Sequence, residues 1–311
     1  MEPVTTTSTP VHRQDVTEQR RPIPYRNLAV GAAMNIFQVT SLGQPLEVIK
    51  THLAANRQDT LPQAFKKTWS RGRFLAFYQG LIPWAWLEAS TKGAILILTA
   101  SEVEYHARTR LGASPTLCGV LGGISGGVAQ AYLTMGMTTC MKTVEVTRTK
   151  IAADGLGKPP GTVEIFLQIL RKEGIRGVNK GVNAVALRQV TGWASRIGIS
   201  RFAEETIRSM RGRGKDEKLG FGDKILASTI GGALSCWNQP FEVLRVEMQS
   251  MKKDPSRPVS PTVFSTFRHI VATSGVKGLF RGVVPRIGVA AWATICMVGF
   301  GDTVKEYVNR L

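Results

Sequence analysis

Three glycines, Gly80, Gly181 and Gly282, stand 101 residues apart, and each closes a similar stretch of chain. The stretches are Phe77-Tyr78-Gln79-Gly80, Glu173-Gly174-Ile175-Arg176-Gly177-Val178-Asn179-Lys180-Gly181 and Ser274-Gly275-Val276-Lys277-Gly278-Leu279-Phe280-Arg281-Gly282. A period near one hundred in a chain of 311 residues leaves room for three copies of one unit and little else. Upstream, Gln44-Pro45-Leu46-Glu47-Val48-Ile49-Lys50 and Gln239-Pro240-Phe241-Glu242-Val243-Leu244-Arg245 share a proline, an acid two residues on and a base three beyond that. The middle copy, around Lys142-Thr143-Val144-Glu145-Val146-Thr147-Arg148, has no proline, and two registers fit it. With Thr143 in the proline place, Glu145 becomes the acid and Arg148 the base, at acid-to-acid intervals of 98 and 97 residues. With Cys140 there, upstream glycines align better, but Lys142 takes the acid place and Glu145 the basic one. We adopt the first register, which keeps both charge types in their usual roles.

Mean hydropathy is −0.02, which by itself resembles a soluble protein. Charge-free windows say otherwise. Asn27 to Leu46 is twenty residues and Leu111 to Met141 thirty-one, both long enough to cross a bilayer at 1.5 Å per helical residue. Ile225 to Phe241, at seventeen, is marginal, and Ile287 to Gly301, at fifteen, needs the residues around Arg286 to complete a span. Helices interrupted in this way line an interior rather than face lipid. Gly122-xxx-Gly126 and Gly123-xxx-Gly127 lie inside an apolar window, with no strand before them. They therefore predict close helix packing rather than a phosphate-cradling loop.

Forty Lys and Arg against 22 Asp and Glu give a net charge of +18, so the partners are acidic. Charge alone does not choose among nucleic acid, anionic lipid and small anions. Cys118, Cys140, Cys236 and Cys296 form no paired motif and sit in apolar stretches, which predicts reduced packing residues. His12, His52, His106 and His269 have no metal-ligand spacing, and no metal or other cofactor is expected. No nucleophile, base and orienting group recur together, so an enzyme is not expected either. Residues 1–24 carry charge without an apolar core and predict a disordered tail rather than a secretory signal.

The triple pattern of Pro-x-acid-x-x-base followed by acid-Gly-x-x-x-x-aromatic-base-Gly resembles the mitochondrial carrier family over residues 25–311. The resemblance implies an all-α membrane protein of the inner mitochondrial membrane. Six transmembrane helices in three pseudo-symmetric repeats would surround a central cavity, with three short helices on the matrix side. We place the repeats at 25–110, 111–215 and 216–311. Departures from the pattern are Gly72-Arg73 where acid-Gly is expected, Ser274 for an acid, Asn179 for an aromatic, and the missing second proline. The resemblance further implies a matrix gate of ion pairs at the inner ends of the odd helices. Its candidates are Glu47, Lys50, Glu145, Arg148, Glu242 and Arg245, with Lys142 included through the second register. On the outer face only Asp302 and Lys305 fit a corresponding gate; Arg201 and Glu204 are reversed, while Ala100 and Val103 carry no charge.

A substrate without threefold symmetry is read where the repeats differ. Counting from each terminal glycine, position four gives Trp84, Val185 and Arg286; position seven gives Leu87, Arg188 and Val289; position eight gives Glu88, Gln189 and Ala290; position twelve gives Lys92, Trp193 and Thr294. Glu88, Lys92 and Leu96 recur every four residues and form one helical stripe. A lysine or arginine at a helix centre costs roughly 2.5 to 3.5 kcal/mol to insert, which favours wet interior placement with a partner. Glu88 and Lys92 can instead neutralise each other, Arg188 and Arg286 can snorkel, and Trp84 and Trp86 serve equally as cavity walls or interfacial anchors. With Lys92, Arg188, Arg286 and Glu88 facing inward the interior charge is about plus two, which suits a di- or tricarboxylate gripped by arginine forks, with Gln189 for a hydroxyl or keto oxygen.

Segments 79–93, 180–189 and 281–288 resemble the fungal citrate- and oxoglutarate-exchanging branch of that family. The resemblance implies antiport of citrate for 2-oxoglutarate, with Glu88, Lys92, Leu96, Arg188, Gln189 and Arg286 as substrate-binding candidates. Small carboxylates are then the expected partners, together with membrane lipid such as cardiolipin. Nucleic acid, through basic residues such as Lys66, Lys67, Arg71 and Arg73, is the alternative.

Overall fold

The computed structural model describes residues 25–152, 161–210, 220–250 and 261–296, and every regular element among them is helical. The expected tail, Asp302, Lys305 and the side chains of Arg148, Trp193, Arg201 and Glu204 lie outside the described residues. In the first repeat, α1 (Tyr25–Gln38) passes through a π turn (Val39–Gly43) into α2 (Gln44–Ala55), followed by the short α3 (Leu61–Gly72) and long α4 (Trp86–Leu111). The second has α5 (Pro115–Gln130), a π turn (Ala131–Met135), α6 (Gly136–Ala152), α7 (Thr162–Val178) and α8 (Val182–Met210). The third has α9 (Phe221–Leu234), a 3₁₀ turn (Ser235–Asn238), α10 (Gln239–Gln249), α11 (Val263–Gly278) and α12 (Val283–Thr294).

Each first span is thus two helices joined at a kink, and proline explains the first. Pro45 has no N–H to offer the carbonyl of Ser41, which instead accepts a hydrogen bond from the Tyr78 hydroxyl at 3.1 Å. The second repeat reaches the same π turn without proline. There Thr134 donates to the carbonyl of Gln130 at 3.2 Å, Thr138 to Thr134 at 3.0 Å, Thr143 to Thr139 at 2.8 Å, and Thr139 to Met135. Hydroxyls that bond back one turn compete with the backbone ladder and bend a helix, so four threonines stand in for one proline.

Two of the short helices start on side-chain caps, and α7 starts on Gly161 without one. Thr60 and Gln63 form a reciprocal capping box ahead of α3, and Thr262 with Ser265 does the same for α11. Each short helix covers a small apolar core at one end of the molecule. Ile49, Leu53, Ala64 and Phe77 pack in the first repeat, and Cys140, Met141, Val144 and Ile165 with Trp84 in the second. The third packs Val243, Leu244, Val246, Ile270 and Leu279. All four cysteines are buried thiols.

Neighbouring spans contact in a closed order: α1 with α4, α4 with α5, α5 with α8, α8 with α9, α9 with α12, and α12 back to α1 and α2. Two glycines make the α4–α5 contact close. A Cβ on Gly122 would lie 3.1 Å from the carbonyl oxygen of Ala100, and one on Gly126 only 2.8 Å from that of Leu96. The polarity of the ring is inverted relative to a water-soluble protein. Gln38, Gln44, Lys50, Gln130, Asn238, Gln239, Glu242, Arg245 and Gln249 are buried, whereas Phe37, Leu42, Leu98, Tyr132, Leu133, Leu187, Phe202, Leu234 and Trp237 are exposed. Apolar side chains outward and polar ones on the axis is what a hydrocarbon solvent demands. Among the described residues, Leu117–Val146 is the one helix apolar and long enough to cross a membrane by composition alone. The other spans carry inward-facing charges that lower their hydropathy.

Candidate functional site

The short-helix end of the ring is closed by ion pairs. Lys50 Nζ lies 2.8 Å from Glu242 Oε1 and 2.6 Å from Glu47 Oε2, linking α2 to α10. Arg245 Nη2 is 2.5 Å from Glu242 Oε1 and 3.9 Å from Glu47 Oε1. Glu242 and Arg245 side chains are each only 2% exposed. With so little water to solvate them, each charge depends on its partners.

Three close approaches fix how the middle repeat joins this ring. A Cβ on Gly282 would lie 2.8 Å from the carbonyl oxygen of Lys50, and one on Gly181 3.5 Å from that of Arg245. One on Gly80 would lie 3.3 Å from the Cα of Lys142. The three equivalent glycines therefore sit over Lys50, Arg245 and Lys142, which makes Lys142 the base of the second motif. Met137 then occupies the proline place, two residues beyond the π turn as Pro45 is, and Thr139 the acid place. Neither register expected from the sequence holds. Glu145 falls three residues past the base, with a buried Oε2 that finds no hydrogen-bond partner among the described residues. The acid missing at Thr139 is replaced by neutral groups: Arg245 Nη1 donates to Thr143 Oγ1 at 3.0 Å, to Gln249 Oε1 at 2.8 Å and to the carbonyl of Thr139 at 3.4 Å. Gln249 also donates to the carbonyl of Lys180 at 2.8 Å.

The residues picked by broken symmetry lie directly above. Arg188 Nε approaches Glu242 Oε2 at 3.3 Å but is buried without a hydrogen bond. Arg286 donates from Nη1 to Gln239 Oε1 at 2.9 Å and from Nη2 to Asn238 Oδ1. Asn238 in turn donates to the carbonyl of Arg188 and to Thr191 Oγ1, both at 3.1 Å, so one side chain ties α8 to α12. Gln189 donates to Gln130 Oε1 at 2.6 Å, and Gln130 donates to the carbonyl of Lys92. Glu88 pairs with Lys142 at 2.6 Å, and the Thr138 hydroxyl, 3.3 Å away, shares its one proton between this carboxylate and the carbonyl of Thr134. Lys92 lies within electrostatic range of Glu88, Lys142, Glu47 and Arg188. Leu96 packs on α5 at Gly126. Trp84 is buried with its ring 5.3 Å from that of Phe166, away from the axis, and Trp86 donates to Thr40 at 3.0 Å.

Sequence reasoning missed Gln130, Thr138, Thr139, Thr143, Asn238, Gln239 and Gln249. Except for Gln249, their signal was available as amide and hydroxyl residues within or beside charge-free windows, where each needs a partner. Of the basic residues considered for nucleic acid, Lys67 is paired with Asp59 at 2.5 Å and Arg71 with His52 at 2.7 Å. Burial would raise the Asp59 carboxyl, but hydrogen bonds from Lys67 and His52 hold it below its ordinary value. Ser274, which stands where an acid was expected, accepts from Arg57 Nε at 2.9 Å.

Comparison with known proteins agrees with this architecture. The profile of the mitochondrial carrier protein family matches residues 21–105, 113–211 and 217–311. The citrate/oxoglutarate carrier protein of Saccharomyces cerevisiae is 55% identical over 294 residues, covering 94% of this chain and 93% of that one. The mitochondrial 2-oxodicarboxylate carrier of Mus musculus is 25% identical over 273 residues, 84% of this chain and 87% of that one. The mitochondrial substrate carrier family protein Z of Dictyostelium discoideum is 26% identical over 283 residues, 87% and 88% respectively. With three matched repeats, six spans in a closed ring and a polar axis, the chain belongs to the mitochondrial carrier family of multi-pass inner-membrane transporters.

Proposed function

We propose that this carrier is an antiporter that exchanges citrate for 2-oxoglutarate by alternating access. The observation that carries the reading is Arg188, whose Nε is buried, lacks a hydrogen bond and stands between the ion-pair ring and the interior. A guanidinium that meets its one carboxylate without a hydrogen bond is a seat for a better-placed carboxylate, which its planar fork can meet with two hydrogen bonds. Arg286 supplies a second fork, Lys92 a point charge, Gln189 an amide for a hydroxyl or keto oxygen, and Leu96 an apolar wall. Similarity to the yeast citrate/oxoglutarate carrier supports the choice of substrates. Lys50, Lys142, Arg245, Glu47 and Glu242 form the proposed matrix gate. A carboxylate that draws Arg188 away from Glu242 loosens that gate, which ties substrate binding to the change of state. The +18 net charge supports anionic lipid, cardiolipin above all, as a second partner.

Labelled citrate uptake into liposomes bearing purified protein tests this, with internal 2-oxoglutarate, citrate, phosphate, ADP or nothing. Fast uptake is expected only against internal citrate or 2-oxoglutarate; exchange with phosphate or ADP alone would remove the substrate assignment. Losing two charge-assisted hydrogen bonds of roughly 1.5 to 3 kcal/mol each, Arg188→Ala is expected to slow uptake at least about 100-fold while the protein stays folded.

A further inference from the structure

The ring at the matrix end has three bases, Lys50, Lys142 and Arg245, but only two acids, Glu47 and Glu242, because the second motif has Thr139 in the acid place. Glu47 is occupied by Lys50 at 2.6 Å and approached by Arg245 at 3.9 Å. The third acid comes from another helix: Glu88 of α4 meets Lys142 at 2.6 Å, both side chains being 12% exposed. Glu88 is thereby held in a seat made by the Lys142 ammonium and the Thr138 hydroxyl, with Lys92 one turn along its own helix. That seat is built for a carboxylate, and Glu88 fills it from the same stripe that carries the substrate candidates.

We propose that Lys142 is a substrate-binding residue that reads the third carboxylate of a tricarboxylate, with Glu88 as the internal group that occupies it until substrate arrives. This rests on the exchanger reading above. With Glu88 offsetting one of Arg188, Arg286 and Lys92, those three cations leave a net charge of about plus two, which a dicarboxylate satisfies. A tricarboxylate brings one more anionic group, and Lys142 is the cation whose present partner is a side chain of the site itself rather than one of the two gate acids. The exchange of Glu88 for a substrate carboxylate at Lys142 involves no covalent step. It also moves the base of the second gate motif toward substrate, so that citrate reaches the gate through Lys142 as well as through Arg188.

The test is the KM and maximal rate of citrate and of 2-oxoglutarate homo-exchange in the same liposomes, for wild type, Lys142→Gln, Lys142→Arg and the double variant Glu88→Gln/Lys142→Gln. Lys142→Gln is expected to raise the citrate KM by about tenfold and the 2-oxoglutarate KM by less than about threefold, since one charge-assisted contact is lost for citrate alone. Lys142→Arg, which keeps the charge, is expected to retain the discrimination within about threefold of wild type. Equal changes for both substrates, or a fall in maximal rate with both KM values unchanged, would mean a gate role only and overturn the proposal. Full recovery of citrate KM in the double variant would reduce the pair to mutual neutralisation and overturn it too. Should Lys142→Gln not reconstitute, a citrate to 2-oxoglutarate KM ratio in Lys142→Arg changed by more than tenfold, with 2-oxoglutarate KM also lost, overturns it as well. If wild type itself fails to exchange citrate, the exchanger reading fails; if wild type exchanges and the variants do not discriminate, only the role of Lys142 falls.

Discussion

At Arg73 the backbone adopts φ 50° and ψ −131°, the conformation that the equivalent positions of the other repeats give to glycine. Gly174 and Gly275 have φ 64° with ψ of −160° and −179°. A side chain in that region costs about 1 to 3 kcal/mol, because Cβ crowds its own backbone. Arg73→Gly is therefore expected to stabilise the carrier by about 1 kcal/mol, part of the relief being offset by the freer unfolded chain. Thermal unfolding in detergent checks it, through a rise of roughly 2 to 4 °C. The departure of the first repeat from acid-Gly was plain in the sequence, but its cost is visible only in the dihedral angles. Asp59 makes a second residue-level case. Its carboxyl is held below its ordinary value by Lys67 and His52 against the opposing effect of burial. A lowered folded-state value means the stabilisation is complete above the unfolded value of about 3.9 and is lost as pH falls through the lower folded one. The melting-temperature gap between wild type and Asp59→Asn should accordingly shrink as pH falls below about 4.

Among elements, the kinked first spans show how one geometry arises from two chemistries. Pro45 and Pro240 were legible as helix-end signals, whereas the threonine run from Thr134 to Thr143 gave no such signal, because each hydroxyl acts only once the helix already exists. Thr139 lies opposite Arg245, whose Nη1 makes do with a carbonyl, a hydroxyl and an amide while Nη2 meets Glu242. Thr139→Glu restores the acid that the motif lacks and is expected to strengthen the closed matrix gate. Its maximal exchange rate should fall by about tenfold, equivalent to roughly 1.4 kcal/mol added to the closed state, while the melting temperature rises. Thr139→Gln, of the same size but uncharged, separates charge from bulk by leaving the rate nearer to wild type.

At the scale of the molecule the repeats are held together by contacts between residues far apart in the chain. Arg57 Nη1 meets Glu247 Oε2 at 2.5 Å, joining the first repeat to the third across the ring closure, with side chains 10% and 5% exposed. Removing either partner strands a buried charge, so each single alanine is expected to cost about 3 to 5 kcal/mol and the double much less than their sum. A double-mutant cycle on thermal stability measures this; additive losses would mean the pair does not act as one.

The repeat period, the helical spans and the charged positions inside them were all fixed by local sequence, because a hundred-residue period and charge-free windows survive without any knowledge of contacts. The asymmetry that selects Glu88, Lys92, Arg188 and Arg286 was likewise legible by counting from the shared glycines. The register of the middle motif was not. Acid and base at 139 and 142, at 142 and 145, or at 145 and 148 differ by steps of three residues, each about 300° around a helix of 3.6 residues per turn, so adjacent registers present faces only about 60° apart. Without a proline to mark the place, sequence offers nothing to separate them. Only the tertiary structure decides, by setting Gly80 over Lys142 as Gly282 sits over Lys50 and Gly181 over Arg245. A close backbone approach tolerates one register where a helical pattern tolerates several.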